Sequence, residues 1–108
     1  MELLQLRYFL VAAKYQHMTK AAEVLQIAQP ALSQSIKRLE QELGVSLFER
    51  EKRNIRLNDA GRFLEQKLLP IMAALDEIPS EIQKKERMNQ RTIHLNLLAA
   101  TRLVTDCI

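Results

Sequence analysis

Gln29, Pro30, Ser33, Gln34 and Lys37 lie close together in the chain. On an α-helix they gather on one face, about a third of a revolution away from Leu32, Ile36, Leu39 and Leu43. The apolar face is free to pack, which leaves two carboxamides, a hydroxyl and an ammonium pointing outward. Those groups suit the base edges of a DNA major groove, where a carboxamide can pair bidentately with adenine and a hydroxyl can donate or accept. An isolated helix often carries such a face merely to be solvated. The surrounding segments decide between the two readings.

A second focus of chemistry follows. Arg50, Lys52, Arg53 and Arg56 are set against Glu51 within a short stretch. Such cations can neutralise phosphates, and an arginine at the tip of a hairpin can enter a narrow minor groove, where the negative potential is enhanced. Arg53 sits nearest the middle of the segment. Arg56 is open to a different role, pairing with Glu49 or Glu51.

The remaining reactive residues are sparse. His17 falls in an interhelical turn and His94 alternates with apolar residues, so both read as structural. Cys107 is the only cysteine, which excludes an internal disulfide and a multi-cysteine metal site and fits a reducing compartment. There is no glycine-rich phosphate loop and no nucleophile grouped with a histidine at interpretable spacing. Neither catalysis nor a cofactor or metal is called for.

The elements that must position these residues are legible from periodicity. Leu6, Phe9, Leu10 and Ala13 predict a first helix over 3–15. Thr19 stands before KAAEVL as the expected N-cap of a short second helix. Gln26, Ile27 and Ala28 form a three-residue turn. Pro30 suits the first turn of a third helix over 29–43, and Gly44 ends it in a left-handed conformation. Two helices joined by so short a turn make a helix-turn-helix.

The stretch VSLFEREKRNIRL is apolar at both ends and basic between them. It predicts a hairpin or loop pinned by Leu47, Phe48, Ile55 and Leu57, a wing. Asn58 caps a long helix in which Leu64, Leu68, Ile71, Leu75, Ile78 and Ile82 follow a seven-residue repeat. One helix cannot bury that seam, so a second copy is expected. Pro70 and Pro79 each remove a backbone bond and predict a kink. Beyond them Ile93, Leu95 and Leu97 alternate with polar residues as in a strand. A lone strand is unstable, so this tail is expected to begin a further domain.

Composition agrees with a small, mainly helical globular chain. There are 108 residues, 47% hydrophobic and 27% charged, with a formal net charge of +3. The mild positive excess favours an anionic partner. The opening MELLQLRYFL has no basic leader and no run is long enough to cross a bilayer, so a cytoplasmic location is expected.

Residues 3–61, and above all AAEVL, QPALSQSIKRLEQELG, LFER and RLNDAG at their spacings, resemble the N-terminal DNA-binding domain of LysR-type transcriptional regulators. The resemblance implies a dimeric, operator-reading regulator. It would have a winged helix-turn-helix, a linker helix that pairs with its counterpart, and then an effector-binding domain of periplasmic-binding-protein type. It puts base reading on Gln29, Pro30, Ser33 and Gln34, phosphate contacts near Thr19 and Lys37, and the wing arginine at Arg53. Arg50 matches the arginine of the family's Leu-Phe-x-Arg pattern. Thr101 falls near the turn that helps bind a small-molecule effector.

Three positions depart from the family's pattern. Ala28 stands where Ser is usual, which removes a side-chain cap at a cost of about 1 kcal/mol. Asn58 replaces Thr and still caps, and Pro79 bears on the length of the paired region.

The expected fold is therefore mainly α, a winged helix-turn-helix with a long C-terminal linker (dimerisation) helix. The expected domains are 1–58 for DNA binding, 59–88 for the linker helix and 89–108 for the truncated start of an effector-binding α/β domain. The partners expected are double-stranded operator DNA and a second copy of the chain, with an effector only where the further domain is present. A helical module that binds a protein through its seam is the competing reading. It accounts for the seam but not for the wing.

Overall fold

The computed structural model describes residues 1–52 and 54–95, with side chains as far as residue 89. The elements are α1 (Leu3–Tyr15), α2 (Met18–Leu25), α3 (Gln29–Leu43), β1 (Phe48–Glu51), β2 (Asn54–Leu57) and α4 (Asp59–Leu95). The chain divides into a first unit, Met1–Ile71, and a second, Met72–Ile108.

The core of the first unit lies where α1, α2, α3 and β2 meet. Ala12, Met18, Ala21, Ala22, Leu32, Ile36 and Ile55 are buried together. The alanines matter because small side chains let three short helices approach closely enough to share one centre. Phe9, Leu32, Leu39 and Leu47 are the largest fully buried side chains. Each contributes about 1.5–3 kcal/mol by leaving water. The rings of Phe9 and Phe48 meet at 5.6 Å and 56°, and so bring β1 against α1.

The apolar stripe of α1 is rotated from its expected place. Its buried residues are Gln5, Phe9, Ala12 and Ala13, while Leu6 and Leu10 are only half-buried. Gln5 is tolerated inside because both ends of its amide are used. Its Oε1 accepts from the Glu2 amide and its Nε2 donates to the Ser35 carbonyl. On α3, Leu32, Ile36 and Leu39 are buried as expected, but Leu43 at the last turn is exposed.

Helix ends are set by local chemistry. Gly44 takes φ 74° and donates to the Glu40 carbonyl, closing α3 where the sequence predicts. Ala28 offers α3 no side-chain cap, as its side chain dictates. The cap of α2 differs from expectation. His17, not Thr19, is its N-cap, with Nδ1 accepting from the Lys20 amide at 3.1 Å. Because α2 starts at the buried Met18, Thr19 already lies inside the first turn. Its hydroxyl is released for other use.

The wing is a two-stranded antiparallel hairpin with Phe48 opposite Leu57 and Glu51 opposite Asn54. Leu47, Ile55 and Leu57 are buried and Phe48 is half-buried, so the expected pins hold it. Asn58 then caps α4, its Oδ1 accepting from the Gly61 amide at 2.8 Å.

α4 is helical through both Pro70 and Pro79 to Leu95. Residues 92–95, expected to be part of a strand, are therefore helix. Extending an existing helix adds one bond per residue, whereas a strand needs a neighbour to pair with. Residues 96–108 lie outside the described residues.

Candidate nucleic-acid interface

The exposed face of α3 is placed by bonds at both of its ends. At its start, the Thr19 hydroxyl donates to Gln29 Oε1 at 3.0 Å, tying the first turn of α2 to the first residue of α3. That bond orients the Gln29 carboxamide and leaves the N–H groups of its Nε2 to donate outward. At its end, Glu40 Oε2 accepts from the Ser46 hydroxyl at 3.0 Å and the Leu47 amide at 2.6 Å. The last turns of α3 thus carry the root of the wing. Along the helix Gln29, Pro30, Gln34 and Lys37 are exposed and Ser33 is half-buried.

The wing hangs on the turn after α1. Gln16 is in the left-handed region at φ 48°; its carbonyl accepts from the Ile55 amide at 3.2 Å and its Oε1 from the Leu57 amide at 3.3 Å. From below, Asn58 Nδ2 donates to the Ser46 carbonyl at 2.7 Å, and Arg62 Nη1 donates to the Leu57 carbonyl at 2.9 Å. Arg62 also pairs with Asp59. Gly61 is required by close approach, since a Cβ there would lie 2.2 Å from the Leu47 carbonyl oxygen and 2.7 Å from Leu57 Cδ2.

The strand register pairs Glu51 with Asn54 across the end of the hairpin, and Lys52 lies in the turn after Glu51. Lys52 has φ 45°, a conformation suited to tight hairpins. Arg53, the expected wing arginine, lies outside the described residues. Arg56 pairs with Glu51 at 3.7 Å, with both side chains more than half exposed; this is one of the two roles expected of it. Arg50 lies opposite Ile55, so its side chain leaves the hairpin on the face that turns toward the helices.

Three of the expected site residues, Thr19, Gln29 and Arg50, line one cleft of about 370 Å³ together with His17 and Lys52. Lys37 lines a separate groove of about 420 Å³ with Glu40 and Ser46, at the far end of α3. Pro30, Ser33 and Gln34 lie on α3 between these two residues in sequence, outside both hollows. The resulting surface is a polar helix face with a cationic hairpin at one end.

The sequence reading missed His17, Gln16, Glu40 and Gly61. Histidine is not among the preferred N-cap residues, and the other three act through long-range contacts that leave no periodic trace.

The seam of α4 is unevenly covered. In the first unit Leu68 is buried and Leu64 half-buried, whereas Ile71 is 58% exposed. In the second, Leu75 is half-buried and Ile78 and Ile82 are 43% and 61% exposed. Thr101 lies outside the described residues. Among the described residues no group of three His, Cys, Asp or Glu side chains could hold a metal ion, and no helix is long and apolar enough to cross a membrane.

A three-helix core, a polar second helix of the helix-turn-helix, a hairpin wing and a long following helix define a winged helix-turn-helix with a linker helix. Residues 3–62 match the model of the bacterial regulatory helix-turn-helix proteins of the lysR family, and the chain belongs to that family. It is 44% identical, over its whole length, to the uncharacterised HTH-type transcriptional regulator YybE of Bacillus subtilis, of which it covers 38%. Over 93% of the chain it is 37% identical to the HTH-type transcriptional regulator BenM of Acinetobacter baylyi, covering 33% of that protein. The chain thus spans well under half the length of these two relatives.

The fold is similar to the DNA-binding domain of BenM in complex with catB site 1 DNA. That match has a TM-score of 0.74 at 40% identity and covers 78% of this chain and 93% of that one. The DNA-binding domain of CbnR in its DNA complex is similar to the same degree, with a TM-score of 0.74 at 31% identity over 80% of this chain and 99% of that one.

Proposed function

We propose that the chain is the operator-reading part of a transcription regulator, binding double-stranded DNA with α3 in the major groove and the wing at the minor groove. The observation that carries this is the exposed N-terminal face of α3, bonded at one end to α2 through Thr19 and at the other to the wing through Glu40. The rigid mounting gives Gln29, Pro30, Ser33 and Gln34 a fixed register from which to read bases, while Thr19, Lys37, Arg50 and Arg53 meet phosphates or the minor groove. That the similar domains of BenM and CbnR form complexes with DNA supports duplex DNA as the partner.

A second copy completes the reader. Ile71, Ile78 and Ile82 stay exposed at heptad spacing, and pairing of two α4 helices would cover them. Two copies of α3 then address a partly palindromic site one helical turn apart, or a multiple of that. The chain performs no catalysis and works in the cytoplasm, where its duplex target is. An effector acts only through the larger part of the protein that the relatives possess, with Thr101 at the start of that region.

Selection of bound sequences from a random duplex pool tests the proposal. An enriched motif with two related half-sites at helical spacing is expected. An unenriched pool at near-physiological salt would contradict sequence reading and favour a protein partner for the α4 seam.

A further inference from the structure

The cleft between α2, α3 and the wing is chemically one-sided. It is lined by His17, Thr19, Gln29, Arg50, Lys52 and Asn54, with Met18 and Ile55 as its apolar part, and among the described residues no carboxylate lines it. Glu51 lines a second hollow, which shares His17, Asn54 and Ile55 with the first, and is paired there with Arg56. A cavity walled by donors and two cations selects an anion.

His17 has a property that its N-cap role imposes on it. Its Nδ1 accepts the Lys20 amide, so the lone pair is at Nδ1 and the proton of the neutral ring is at Nε2. An aspartate cap has only acceptor oxygens, and a serine cap offers, beside its accepting oxygen, a single O–H held close to the helix end. The imidazole instead does both jobs, capping α2 with one nitrogen while holding an N–H donor on the other edge of a ring that lines the cleft.

We infer that this cleft seats one phosphodiester of the duplex backbone, with His17 Nε2–H as a phosphate donor beside the charges of Arg50 and Lys52. The inference rests on the duplex-binding reading above and adds a site and a residue to it. The contact also gives that reading a register. A phosphate held at the junction of α2, α3 and the wing fixes how far α3 enters the groove.

The test compares the wild-type chain with His17→Ser and His17→Asp, both of which keep a cap acceptor for the Lys20 amide. Thermal melts followed by circular dichroism should show α2 and the fold retained in both. Binding is measured on the duplex selected by the wild-type chain and on versions of it in which single backbone phosphates are replaced by neutral methylphosphonates. His17→Ser should bind roughly tenfold more weakly, the scale of losing one hydrogen bond to a charged acceptor. His17→Asp should lose more, because it brings a negative charge to the phosphate. At one phosphate per half-site, neutralisation should harm the wild type more than it harms His17→Ser, which marks the shared contact. Folded variants that bind as the wild type does, with the same methylphosphonate profile, would overturn the inference while leaving duplex binding standing. A wild-type chain that binds no duplex would overturn both.

Discussion

The first unit and the distal part of α4 bury their side chains very differently. Between Phe9 and Leu57 every helix and the hairpin contribute at least one residue to a shared interior. Over residues 76–88 every side chain is exposed. The first region reaches a defined shape with its own atoms, whereas the second presents an apolar series without an inside. Recognition surfaces of fixed geometry are built on the first kind of region, and association surfaces on the second.

Substitutions that treat the two regions alike should therefore give opposite results. Leu32→Ala removes a fully buried side chain at the centre of the three helices and should cost about 2–5 kcal/mol in chemical denaturation. Ile82→Ala, on the exposed seam, should leave that unfolding transition nearly unchanged and instead weaken self-association in sedimentation experiments. A large stability loss from Ile82→Ala, with association intact, would break the contrast.

Gly61→Ala probes the junction where the wing meets α4. The added methyl meets the Leu47 backbone oxygen, so the wing root or the helix must shift, at an expected cost of about 1–3 kcal/mol in the same assay. Glu40→Ala should be next in size. It removes the acceptor of the Ser46 hydroxyl and the Leu47 amide, and about 1–2 kcal/mol is expected, with DNA binding falling further because the wing loses its tie to α3. Lys52→Asn is the smallest and is of opposite sign. Asparagine tolerates φ 45° better than lysine, so the hairpin should gain a few tenths of a kcal/mol while one cation is lost and the salt dependence of binding flattens.

Much of this architecture is written locally. The bounds of α1 and α3, the left-handed Gly44, the Asn58 cap and the apolar pins of the wing follow from spacing and from single-residue preferences. The polar face of α3 is equally local, because one helix turn dictates it. What is not legible depends on neighbours distant in sequence. Gln5 is buried only because the Ser35 carbonyl lies opposite it, and Gly61 is constrained only because the wing root passes close by. The cap of α2 moved from Thr19 to His17 because the buried Met18 draws the helix start two residues earlier, and Thr19 then meets Gln29 instead. Likewise, Leu68 keeps the heptad spacing yet is already covered within the chain, which periodicity cannot reveal.

The account's central claim is that α3 reads bases from a fixed mount. Its most direct test is to repeat the duplex selection with Gln34→Ala, whose side chain is exposed and whose loss should leave the fold intact. The account predicts that preference relaxes at one position in each half-site, by roughly 1–3 kcal/mol, while affinity for random duplex and its salt slope stay the same. An unchanged motif, or a uniform loss of affinity for every sequence, would contradict it.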